Sequence, residues 1–223
     1  MKARARLVAR AQEDGTTRLV TLAGETPLLL RRAPHPDNLD VAQIHLMGGT
    51  AGPIGGDDLA YRVDIGQGAK VRVRSTAGSL ALPGPGGAQS MLACEVTVGP
   101  GACLDWTPEP LIAVRGANHA MHANLEIAED AQVIWREDVV LGREDEETGS
   151  VRSRIRINRA GRVVFDHEFA VGPRYPGSLG PSGTAGYRRV TMTAEFGGPT
   201  SGPIVKIAFS GAELPDLSHT FEL

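Results

Sequence analysis

Apolar and polar positions alternate along most of this chain, and the alternation recurs as a unit. One copy reads Val63-Asp64-Ile65-Gly66-Gln67-Gly68-Ala69-Lys70-Val71-Arg72-Val73: a strand, a tight polar turn ending in a small residue, and a second strand. The phrase returns at 96–106, 125–135 and 155–165, with Ile65, Val98, Ile127 and Ile157 aligned before the turns. A period of about thirty residues with no helix-forming stretch between copies predicts β-hairpins laid one after another. Further alternation predicts a first strand with Ala3, Ala5, Leu7 and Ala9 on one face. Other strands are expected at 17–22, 27–32, 41–47, 191–196 and 204–209. The fold class is all-β, and residues 1–223 are read as a single domain with a Gly/Pro-rich irregular segment at about 172–190.

Breaks in the alternation are informative. Gly48, Gly49, Gly55 and Gly56 fall in a glycine-dense loop, costly to order unless the backbone takes positive φ or approaches another group closely. Residues 81–89 form a second Gly/Pro stretch, read as a flexible or tight connection, without the Gly-Lys-Ser/Thr of a phosphate-binding loop. The prolines at 108 and 110 end the second repeat, since each removes a ladder donor.

Composition narrows the function classes. Apolar residues are 41% of the 223 and aromatics only 4%, so aliphatic side chains must fill the core. A formal charge of −3, from 23 basic and 26 acidic residues, argues against a dedicated nucleic-acid binder. Arg72, Arg74, Arg152, Arg154 and Arg156 alternate along strands, as on a solvated face; a surface for phosphate or an acidic partner is the other reading. No apolar run approaches the roughly eighteen residues of a membrane helix, and residues 1–10 make a poor secretory signal. Cys94 and Cys103 are expected as reduced core residues of a cytoplasmic protein.

Candidate chemistry is sparse. His119 and His122 are three apart in an extended stretch, which puts them on opposite faces, and no further ligands of a metal centre lie nearby; they read as ordinary polar residues, with a weak metal contact as the other reading. His45 alternates with Ile44 and Leu46, either as a satisfied strand histidine or as the lining of a polar passage. No Gly-x-Ser-x-Gly nucleophile motif is present. The acids at 144–147 repel one another and must meet solvent or a basic partner.

Several of these features, in order, resemble the urease accessory protein UreD (UreH) family. They are the glycine loop with Gly48, Gly49, Gly55, Gly56 and Asp57, the strand end with Trp106, Pro108, Glu109 and Ile112, and the pair Gly142 and Arg143. The resemblance implies stacked β-sheets with a few short helices. It implies a non-catalytic, cytoplasmic maturation factor that binds apo-urease and the UreF–UreG complex, reaching UreG through UreF, in a heterocomplex that forms a dimer. No cofactor is tightly bound on this reading; nickel passes in transit to the urease active site, with no stable metal site. His45, Asp57, Asp58, Glu109 and Glu137 are the transient nickel-passage candidates, because oxygen and imidazole ligands of moderate strength release a divalent ion. A β-rich binding module unrelated to nickel, or a carboxylate-based hydrolase, is the alternative.

Overall fold

A computed structural model describes residues 1–34, 40–176, 187–197, 204–211 and 217–222. The strands in chain order are β1 (Lys2–Ala11), β2 (Thr17–Gly24), β3 (Leu28–Ala33), β4 (Ala42–Gly48), β5 (Asp58–Ile65) and β6 (Lys70–Ser75). They continue as β7 (Ser79–Ala81), β8 (Ser90–Val98), β9 (Cys103–Trp106), β10 (Leu111–Ala113), β11 (Asn118–Ile127) and β12 (Gln132–Leu141). The last are β13 (Ser150–Arg159), β14 (Arg162–Val171), β15 (Tyr187–Phe196), β16 (Ile204–Gly211) and β17 (Leu217–Glu222). Helix among the described residues is limited to one 3-10 turn at Pro85–Gly87. The Gly/Pro-rich segment lies outside the described residues at 177–186, and Tyr187 already begins β15.

The strands form two facing sheets. One has seven strands in the order β14-β13-β11-β8-β5-β1-β2; the other has ten, with β17-β16-β15-β12-β9-β6-β4-β3 as its path. The central neighbours β1-β5-β8-β11-β13 and β4-β6-β9-β12 are all parallel. This is a solenoid-like, all-β arrangement.

The hairpin expectation is corrected for the first three copies. β5 and β6, β8 and β9, and β11 and β12 lie in opposite sheets, and the members of each couple do not pair with one another. Each copy is an arch whose strands meet through side chains, and successive arches stack in parallel. The turns join the stack too: Gly99 donates to Ile65 O at 2.8 Å, and Ala128 to Val98 O at 2.9 Å. The small residue ending each turn explains the bend. Ala69, Ala102 and Ala131 occupy the inner corner with no exposed surface, where a larger side chain would hold the sheets apart.

The fourth copy is a true hairpin, with β13 antiparallel to β14. Its turn places Ala160 at φ 49° and Gly161 at φ 77°, the paired left-handed conformation that suits a two-residue hairpin turn. Its register also differs from the sequence alignment: Ile157 lies beside Leu125, while Ile127 lies beside Arg159.

Period-two burial fills the space between the sheets. Ala3, Ala5, Leu7 and Ala9 of β1 are buried, as expected, and Leu59, Tyr61, Val63 and Ile65 of β5 join them. Four of the alternating arginines are ion-paired, Arg72 and Arg74 with Asp105 at 3.2 and 2.6 Å and Arg154 and Arg156 with Asp166 at 2.8 and 3.7 Å, whereas Arg152 has a buried Nε without a partner among the described residues. His119 is buried and His122 partly exposed, on opposite faces of β11. Both cysteines are free thiols; Cys94 is a core residue as expected, but Cys103 is partly exposed on β9, which corrects the core expectation for it.

Candidate functional site: a carboxylate-bearing cavity between the sheets

Strand β12 carries the decisive alternation. Val133, Trp135, Val139 and Leu141 are buried on its inner face, and the same period places Glu137 among them. Glu137 accepts a 2.6 Å hydrogen bond from Ser153 Oγ of the opposite sheet and a 3.2 Å bond from Trp135 Nε1. Burial raises the Glu137 pKa, and those two bonds only partly oppose the rise.

A break in the ten-stranded sheet lies beside this residue. Strand β9 ends at Trp106, paired with Trp135, and β10 resumes at Leu111, paired with Val139. Pro108 and Pro110 cannot donate to the ladder between them. On the next strands the chain likewise leaves the sheet after Ser75 and returns at Ser79. Behind this seam lies a cavity of about 400 Å³, lined by Glu137, Asp138, Glu109, Trp106, Trp135 and Tyr61 among others.

The cavity has an aromatic floor and mixed walls. Trp106 and Trp135, both tryptophans of the chain, stack at 5.0 Å, and Tyr61 meets Trp106 edge-on at 5.8 Å. Such contacts add about 0.5–1.5 kcal/mol each beyond burial. Cys94 and Met121 contribute sulfur to the wall. Burial, with Glu137 and Glu95 nearby, keeps the Cys94 thiol protonated well above its ordinary range; burial does the same for the Tyr61 hydroxyl. Asp138 is held by Arg189, by Arg136 at 2.8 Å and by Thr191 at 3.2 Å. Its burial raises the pKa, but the two guanidinium groups more than reverse that and hold it low. Two adjacent carboxyls are thus separated in character: Asp138 is neutralised by arginines, and among the described residues Glu137 has only neutral donors.

The sequence-derived candidates distribute unevenly around this cavity. Gly48, Trp106, Pro108, Glu109 and Glu137 line it. Glu109 is exposed, so the cavity reaches the surface there, and its backbone N–H donates to Ser75 Oγ at 2.7 Å. His45 sits on the other face of β4, against Gln43 at 3.1 Å, between the buried Ile44 and Leu46. Asp58 pairs with Arg4 at 3.0 Å, and Asp57 accepts from Ile54 N–H at 2.9 Å and the Met1 amino group at 2.6 Å. Neither aspartate lines the cavity. Ile112 is half-buried on β10, packed against the core.

The glycines and Arg143 serve local structure. Gly49 N–H donates to Pro27 O at 2.9 Å, and Gly56 N–H to Gln89 O at 3.1 Å. The glycine loop and the 81–89 connection therefore pair with each other, reinforced by Gly55 N–H to Leu82 O at 3.0 Å. A Cβ on Gly55 would stand 2.5 Å from Gly84 N, so the two loop backbones touch. Gly142 has φ 78° and also backs onto the Glu146 carbonyl. Arg143 binds Glu146 at 2.9 Å, drawing that carboxyl down to about 2, so the acidic loop spends one acid on its own closure. Among the described residues no group of three or more His, Cys, Asp or Glu could hold a metal ion.

Sequence reading passed over Ser153, Tyr61, Met121 and Asp138, and gave Cys94 no place in a site. The available signal was period two: Ser153 alternates with Val151, Ile155 and Ile157, as Glu137 does with its apolar neighbours.

A solenoid-like two-sheet β protein with a carboxylate in its interior cavity is the class that fold and site define. The family profile described as UreD urease accessory protein matches residues 1–208. The chain is 37% identical over 206 residues to a urease accessory protein UreD of Frankia casuarinae, covering 80% of this chain and 65% of that protein. It is 36% identical to the UreD of Parafrankia sp., over 91% of this chain and 74% of the relative. The Streptomyces coelicolor UreD is also 36% identical, over 98% and 86% respectively. The chain belongs to the UreD urease accessory protein family. Among the described residues no helix is long and apolar enough to cross a membrane.

Proposed function

We propose that this chain is a non-catalytic scaffold for urease maturation in the cytoplasm, binding apo-urease and the UreF–UreG complex and assisting nickel insertion. Family membership supports the urease link, and the cavity supports the nickel role. The observation that carries the reading is Glu137, a carboxylate with only neutral donors among the described residues, in a cavity whose rim holds Glu109. Nickel is cargo here. An isolated oxygen ligand attracts a divalent ion without the multidentate grip that would retain it. A raised pKa strengthens this point, because the proton competes with the metal and the carboxyl is uncharged more of the time. Glu109 offers the entry contact and Glu137 the interior one.

The test is co-purification of tagged chain with UreF, UreG and urease subunits from one extract. A stable complex containing all of them is the expected result. Recovery of the chain alone, under conditions where UreF and UreG associate with each other, contradicts the scaffold reading.

A further inference from the structure

The cavity between the sheets offers more than a carboxylate. Leu28, Leu59, Leu111 and Met121, all buried, border it together with the two tryptophans. Its charge is of one sign. Glu109, Glu137 and Asp138 line it, and none of the described residues that border it is Arg, Lys or His. Arg136 and Arg189 balance Asp138 from outside the lining, and Arg189 also acts on Glu109 at the rim. The uncompensated group is Glu137, which has no ion pair among the described residues. One of its oxygens accepts from Ser153 Oγ and the other from Trp135 Nε1. An ionised carboxyl has about four acceptor positions, so roughly two remain.

These walls restrict what the cavity can hold. An anion meets three acids and no basic side chain. An uncharged apolar molecule covers the leucines but leaves the free positions of Glu137 dry and unmatched. A small hydrated ion uses the carboxylate and none of the apolar wall, which suits passage without retention. An ammonium head on an apolar body uses both. The head donates to Glu137 among the rings of Trp106, Trp135 and Tyr61, whose electron-rich faces attract cations, and the body takes apolar wall away from water. A volume of about 400 Å³ lies within the roughly 300–1,000 Å³ of small-molecule sites.

We infer that this cavity is a binding site for an alkylammonium ion, a small protonated organic amine with its nitrogen at Glu137 and its hydrocarbon body among Leu28, Leu59 and Leu111. The amine is bound and released unchanged. While it is bound, Glu137 is closed to a passing metal ion, so the two compete for one carboxylate. This site shares the cavity with the maturation reading but needs neither nickel nor a partner protein, so either can fail alone.

Both tryptophans of the chain border the cavity, so their emission reports its occupancy without a label. The purified full chain would be titrated with hexylammonium chloride and with hexanol, its uncharged counterpart, at constant ionic strength, as wild type and as Glu137→Gln. Wild type should give a saturable change in emission with hexylammonium and bind it at least about tenfold more tightly than hexanol, the size of one hydrogen bond to a charged group. Glu137→Gln should lose that advantage while binding hexanol as wild type does. Circular dichroism establishes the fold of the variant; if it does not fold, the contrast between amine and alcohol on wild type carries the test. Equal affinity of wild type for amine and alcohol overturns the inference, and so does a hexylammonium affinity unchanged in folded Glu137→Gln. Absence of a saturable response to hexylammonium overturns it as well. Each of these results leaves co-purification with UreF, UreG and urease as the separate test of the scaffold reading.

Discussion

Ser153 Oγ on β13 and Glu137 on β12 are joined by a 2.6 Å hydrogen bond that spans the two sheets. It fixes a carboxyl group in an interior filled mainly with aliphatic and aromatic side chains. Such a group is expensive when charged, and its pKa is raised accordingly.

A pH dependence follows from the sign of that shift. The folded state holds the Glu137 proton more tightly than the unfolded state does. Its contribution to stability is complete below the ordinary carboxyl range and is lost as pH rises through the folded pKa. Glu137→Gln keeps an acceptor for Ser153 and removes the charge, so the variant should melt above wild type at neutral pH. Each kcal/mol corresponds to about 2–4 °C in a chain of this size. Thermal melts over a pH series check this, and the gap should close toward the acid end.

His119 works in the opposite direction. It is fully buried, bonds Ser90 through Nδ1 at 2.8 Å, and leaves Nε2 without a partner among the described residues. Burial lowers its pKa to about 4, partly offset by Asp57. The unfolded chain therefore takes up a proton from about pH 6.5 downward while the folded chain resists until about 4. Stability should fall over that interval with a slope of up to about 1.4 kcal/mol per pH unit. Denaturant titrations of wild type and His119→Gln should show the slope reduced in the variant.

The backbone contact between Gly55 and Gly84 gives a steric prediction. Gly55→Ala forces two loop backbones apart and should cost about 1–3 kcal/mol. Gly48→Ala meets only Thr50 O at 3.4 Å, and should stay within about 0.5 kcal/mol of wild type. Comparing the two unfolding midpoints checks the contrast.

Much of the fold was legible because burial in strands has period two. That period located β1, β6, β8 and β12 and the opposite placement of His119 and His122. It could not decide which strands pair. Strands on either side of a tight turn alternate identically whether they hydrogen-bond to each other or face across a core. The discriminating residues were Ala69, Ala102 and Ala131, whose smallness marks an inner corner, against the paired positive φ of Ala160 and Gly161 in the real hairpin. For the site, Glu137 was visible as a candidate, but the cavity beside it depends on a seam between chain segments 76–78 and 107–110. His45 shows the converse: its strand was correctly located, yet its side chain lies on the face away from the cavity.

The nickel content of urease is the quantity on which the account stands. It would be measured per active-site equivalent in enzyme purified from cells lacking this chain and from cells complemented with wild type, Glu137→Gln or Glu137→Leu. Deletion should leave urease short of nickel, and wild type should restore it. Glu137→Leu should restore little while still co-purifying with UreF, with Glu137→Gln between the two. Full nickel loading in the deletion strain, with normal urease activity, would contradict the maturation role; full loading with Glu137→Leu would contradict passage through the cavity.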